Sequence, residues 1–199
     1  MIELYAITDD PTPPGPPLRA VRSDGLAVLY APAERRAVTA EALWHHEHVV
    51  EELMAGRELL PVRYGTFVAD PSAAAEALAG RRDELAASLD RVRGAVELAV
   101  RAEIREPEEA DSTESGRDYM SAKAGRMAKA DLVHDRLSPL AREHVLRPGP
   151  ELLRAAYLVD RAAVEHFVSL VRRLQESHPE LDLLCTGPWP PYSFAGEAQ

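Results

Sequence analysis

Val92-Arg93-Gly94-Ala95-Val96-Glu97-Leu98-Ala99-Val100-Arg101-Ala102-Glu103-Ile104 decides how the second half of this chain folds. Every even position is apolar or glycine, and the odd positions are arginine, glutamate or alanine. A period of two over this length predicts a long strand with one buried face. Downstream, an acidic loop over Glu106–Glu114 precedes a helix expected from about Gly116 to Leu137. His144–Arg147 and Leu152–Asp160 bracket Pro148-Gly149-Pro150 and read as a hairpin. Asp160 is placed to cap a helix whose stripe is Val164, Phe167, Val168, Val171 and Leu174, and Leu181–Thr186 closes as a strand. The order βαββαβ is the split βαβ, or ferredoxin-like, arrangement. The expected class is therefore α+β with two small α/β domains, divided near Arg91 into 1–90 and 91–199.

The first domain is expected to run βββαβα. Ile2–Ile7 reads as a strand, followed by the stiff loop Pro11–Pro17. Arg19–Ser23 and Leu26–Ala31 flank Asp24-Gly25, a two-residue hairpin signal. Thr39 is a plausible N-cap for a helix to about Ala55, and Leu59–Val62 reads as a strand. Asp70-Pro71 then supplies a cap followed by proline at the first helical position. Leu78, Leu85 and Leu89 carry that helix onward in a single apolar stripe.

Charge and composition exclude several classes of function. The formal charge is −10, from 33 acidic and 23 basic residues, which repels a phosphate backbone and argues against nucleic acid as a partner. No apolar run approaches the roughly 20 residues that span a bilayer, so no membrane partner is expected. The start, MIELYAIT, lacks a basic n-region. A single cysteine, Cys185, allows no internal disulfide and fits a cytoplasmic setting. Phosphate-cradling glycine motifs and the nucleophile elbow are absent, so no catalytic or cofactor-binding residues are assigned. Cys185 reads as a small buried residue on the face of Leu181 and Leu183.

One helix face does resemble a site. At about 100° per residue, Glu41, His45, His48 and Glu52 share a narrow sector, with spacing that suits two or three metal ligands. The same residues also make ordinary exposed i, i+4 pairs opposite Leu43, Val50 and Met54, which needs no metal. A metal-dependent enzyme on that face is thus an alternative, and a small-ligand regulatory domain is another. The wheel sets Glu47 among Leu43, Val50 and Met54, where a carboxylate must be paired or part of an interface. Asp131 and His134 are placed in the same way beside Met120 and Met127. Arg63 is a candidate partner for one of these acids.

The tail from about residue 187, Gly187-Pro188-Trp189-Pro190-Pro191-Tyr192-Ser193-Phe194, combines three prolines with three aromatics. It cannot be a helix or a central strand. Large aromatics are usually buried, so a strap on its own domain is expected, with docking on a partner in polyproline form as the alternative. Together with Leu59-Leu60-Pro61-Val62-Arg63-Tyr64-Gly65-Thr66-Phe67, Ala156-Tyr157-Leu158-Val159-Asp160 and the opening Leu4-Tyr5-Ala6, this tail resembles the GvpL/GvpF family of gas vesicle accessory proteins. Tyr64 stands where that family more often has phenylalanine. The resemblance runs nearly the full length. It implies a non-enzymatic role in gas vesicle assembly, association with the hydrophobic shell protein GvpA and other accessory proteins, and no catalytic, cofactor or metal residues.

Overall fold

Asp24 and Gly25 take φ values of 49° and 85°, the left-handed pair that a tight two-residue hairpin turn requires. They join β2 (Arg19–Ser23) to β3 (Leu26–Pro32) in antiparallel register, with Ser23 opposite Leu26. β1 (Ile2–Thr8) lies on the other side of β3, also antiparallel, and all seven of its residues are buried. The far edge of β1 pairs with two short strands, β4 (Leu60–Pro61) and β5 (Phe67–Val68). The sequence gives no signal for β5, because two residues are too few to show a period.

The register of β1 against β3 shifts between Leu4 and Ala6, at Tyr5. An irregularity of this kind re-aims side chains. Leu4 and Ile7 face a small cavity beneath α2 (Pro71–Gly80) and α3 (Arg82–Val92), while Glu3 and Tyr5 face α1 (Ala40–Gly56). A strand covered on both faces is apolar throughout, apart from residues with a buried task. Thr39 and Asp70 cap α1 and α2, accepting from the amides of Ala42 and Ala73. The single helix expected after Asp70 is two helices: Gly80 ends the first, and the Arg81 amide bonds back to Leu78 and Ala79.

The computed structural model describes residues 1–10, 12, 14–33, 39–105 and 116–196. The expected acidic loop over 106–114, Pro11 and Pro13 of the proline loop, and the side chain of Met120 lie outside the described residues. The chain divides into two compact units, residues 1–95 with 189–199, and residues 96–188.

The second unit contains β6 (Ala95–Ile104) from Val96 on, α4 (Gly116–Leu137), β7 (Glu143–Leu146), β8 (Leu153–Asp160), α5 (Val164–Ser177) and most of β9 (Leu181–Trp189). Its strands stand in the order β7-β8-β6-β9, with β7 and β8 antiparallel. The alternation that starts at Val92 is strand only from Ala95: Val92 ends α3, and Gly94 turns the chain at φ 72°. Ala95–Leu98 are buried in succession, on both faces, and the alternation of one buried face sets in from Leu98. Leu98, Val100 and Ala102 enter a core with Val133, Leu137, Tyr157, Phe167 and Leu174. Asp160 makes no side-chain cap to α5; a short 3₁₀ turn intervenes, and Asp160 pairs with Arg142 instead. Two antiparallel sheets with helices on their faces make the molecule a mixed α/β protein.

The expected strand Leu181–Thr186 continues to Trp189. β9 lies at the sheet edge, where Pro188 withholds an amide without breaking a ladder. Beyond it, the tail groups with the first unit. Phe194 and Ala195 are buried there, and an Arg91 guanidinium donates to the Phe194 carbonyl. This tail is therefore a strap on the first unit, although β9, which leads into it, belongs to the second. Among the described residues, no helix is long and apolar enough to cross a membrane.

Candidate functional site

The buried stripe of α1 is His46, Val50 and Met54, spaced i, i+4, i+8. The wheel's apolar face of Leu43, Val50 and Met54 is met at Val50 and Met54, but His46 takes the place given to Leu43, and Glu47 is not within it. Leu43 is 39% exposed, Glu47 is exposed, and His46 is 1% exposed. The histidine is inside because two distant groups satisfy both of its nitrogens. Nε2–H donates to the Val62 carbonyl at 2.8 Å, and Nδ1 shares a proton with Glu3 Oε1 at 3.0 Å. A buried imidazole and a buried carboxylate, each costly alone, thus satisfy one another.

Aromatic rings enclose the pair. Tyr5 stacks on His46 with centroids 4.6 Å apart, and Tyr64 meets it edge-on at 5.6 Å. The Tyr5 hydroxyl is pushed up to about 12, chiefly by burial, then by the Glu3 charge and by their hydrogen bond. Glu3, Tyr5, Tyr64, Phe67, His45 and Met1 line a surface groove of about 560 Å³ beside α1. The register shift in β1 and the N-cap at Thr39 set this geometry: one turns Glu3 and Tyr5 toward the helix, and the other fixes where the helix starts.

The other expected positions are dispersed. Glu41, His45, His48 and Glu52 are all exposed; His48 Nε2 pairs with Glu52 at 3.3 Å and stacks on Trp44 at 5.2 Å. Among the described residues, no three His, Cys, Asp or Glu side chains come together in a way that could hold a metal ion. The Arg63 side chain is exposed, and it is its carbonyl that works, accepting from the Thr66 amide and hydroxyl.

On α4, Asp131 is exposed and Met127 is 59% exposed, so neither lies on an apolar face. His134 is half-buried, with Nδ1 3.0 Å from the Tyr157 hydroxyl and its ring edge-on to His144. Burial and the neighbouring His144 hold its pKa below the ordinary value. Cys185 is half-buried against the core of the second unit, and burial raises its thiol pKa.

On the first unit, the tail runs near α1. Burial raises the Tyr192 pKa, and the charges of Glu47 and Glu51 add to the shift. Sequence reasoning missed Glu3 and His46 as a pair. A charged residue at the second position of a mostly apolar strand was the available signal for Glu3.

The chain is 33% identical over 191 aligned residues to gas vesicle protein L of Streptomyces sp. (strain CB03234), covering 80% of this chain and 71% of that protein. It is 28% identical over 212 aligned residues to gas vesicle protein F of the same organism, covering 91% and 89%. In fold it matches the crystal structure of gas vesicle protein GvpF from Anabaena sp. PCC7120, with a TM-score of 0.85 at 21% identity over 98% of this chain and 95% of that one. The family described as gas vesicle synthesis protein GvpL/GvpF matches over residues 4–196. Spanning nearly every described element of both units, that match makes this chain a member of the GvpL/GvpF family of gas vesicle accessory proteins.

Proposed function

We propose that this protein supports growth or nucleation of the gas vesicle shell by binding the hydrophobic shell protein GvpA together with other accessory proteins, without turning over a substrate. Its place of work on this reading is the cytoplasm, at the nascent vesicle. The observation that carries the reading is apolar surface left in water on α1 of the first unit, where Trp44 is 64% exposed and Leu43 39%. Exposed apolar residues on a folded protein mark sites of protein contact when they cluster. A shell protein with apolar faces aggregates before it polymerises unless those faces are covered. An acidic binder of charge −10 would keep such a complex dispersed until the subunit is handed on.

The second unit serves this reading as a ferredoxin-like scaffold, which the strand order β7-β8-β6-β9 supports. Co-expression with GvpA tests the function. Soluble GvpA should rise above its level when expressed alone, and Trp44→Glu with Leu43→Glu should remove most of the gain. Equal soluble GvpA with and without the protein rejects the proposal.

A further inference from the structure

The geometry points to the groove beside α1 as a site for a cationic head group, the ammonium or guanidinium of a lysine or arginine side chain on a protein partner. The inference rests on the reading that this chain works by binding another protein. Glu3 is the reason. Its side chain is 12% exposed, yet it lines the groove. His46 behind it engages Oε1, and Tyr5 lines the groove beside it. A carboxylate offers about four lone-pair positions, so the His46 contact leaves acceptor capacity on the other oxygen.

The walls suit a cation as well. Tyr5, Tyr64 and Phe67 line the groove with the acid, and a carboxylate among aromatics attracts ammonium and guanidinium groups. Toward the rim, Pro32, Ala33 and Ala42 give an apolar run against which the aliphatic stem of lysine or arginine packs while its head reaches inward. The basic groups at or behind the groove are His45 and the N-terminal residue Met1, both exposed to solvent, and His46, which is held by Glu3 and the Val62 carbonyl. The formal charge of −10 favours approach of a basic partner.

The test is an NMR titration of the full chain with Nα-acetyl-lysine methylamide and Nα-acetyl-arginine methylamide, with neutral Nα-acetyl-norleucine methylamide as control. The cationic probes should give saturable shifts at the amides of Glu3, Tyr5, Tyr64 and Phe67 with Kd of roughly millimolar order, and the neutral probe none. Glu3→Gln should weaken binding about tenfold. Since Glu3→Gln also touches the His46 pair, Phe67→Leu serves as a second variant that leaves the pair intact and should weaken binding severalfold.

Butylammonium distinguishes the source. Weaker binding than the capped residues supports a polypeptide side chain, and tighter binding overturns that assignment. No saturable shift, equal binding of the norleucine probe, or parent-like binding by both variants overturns the site. No shell protein enters this titration, so failure of the co-expression test alone leaves it standing.

Discussion

At the scale of single residues, His46 holds together groups that are far apart in sequence. Replacing it with alanine removes a ring stacked on Tyr5 and leaves the Glu3 carboxylate and the Val62 carbonyl buried without their partner. The expected cost is about 3–5 kcal/mol, read from urea unfolding of His46→Ala against the parent. Tyr5 gives a pH signature. Its folded-state value of about 12 exceeds the ordinary 10, so the folded protein keeps a proton that the unfolded chain releases first. Its contribution to stability is complete below about pH 10 and disappears as pH rises toward 12. Tyr157 and Tyr192, also raised by burial, act in the same direction. Urea midpoints should therefore fall between pH 9 and pH 11.5 or so, and fall less steeply in Tyr5→Phe.

At the scale of elements, what was legible in the sequence was local. The Asp24-Gly25 turn and the caps at Thr39 and Asp70 are each decided within four residues, and each is found where its spacing places it. Gly25→Val, forced to φ 85°, should cost about 1–2 kcal/mol, and Asp70→Ala about 1 kcal/mol, both measurable by thermal unfolding. What was not legible depended on distant partners. Periodicity along α1 alone gives no reason to bury His46 and expose Leu43. The reason lies 43 residues away in Glu3 and 16 away in Val62. The same holds for β5, whose existence depends on β1 rather than on its own two residues. On α4, His134 is half-buried because the Tyr157 hydroxyl on β8 lies 3.0 Å from its Nδ1, again a long-range cause.

At the scale of the whole molecule, the tail matters most. The sequence predicts that GPWPPYSF runs extended; it does so only as far as Trp189, after which Tyr192–Phe194 turns with the Phe194 amide bonded back to Pro191, and the pattern does not say which unit receives it. Phe194 is 3% exposed and Ala195 2%, both within the first unit. Truncation after Pro188 should lower the melting temperature of the first unit while leaving the second near its parent value. Calorimetry would then resolve two transitions further apart than in the parent, and an unchanged profile would refute the strap as a stabilising element.

The chain leaves the first unit after Ala95 and re-enters it at Trp189, so that unit is discontinuous in sequence. The ribosome therefore supplies its closing residues last. When residues 96–188 have all been joined, the first unit still awaits Phe194 and Ala195. Each newly made copy passes through an interval in which that seat stands open to chaperones or neighbouring nascent chains.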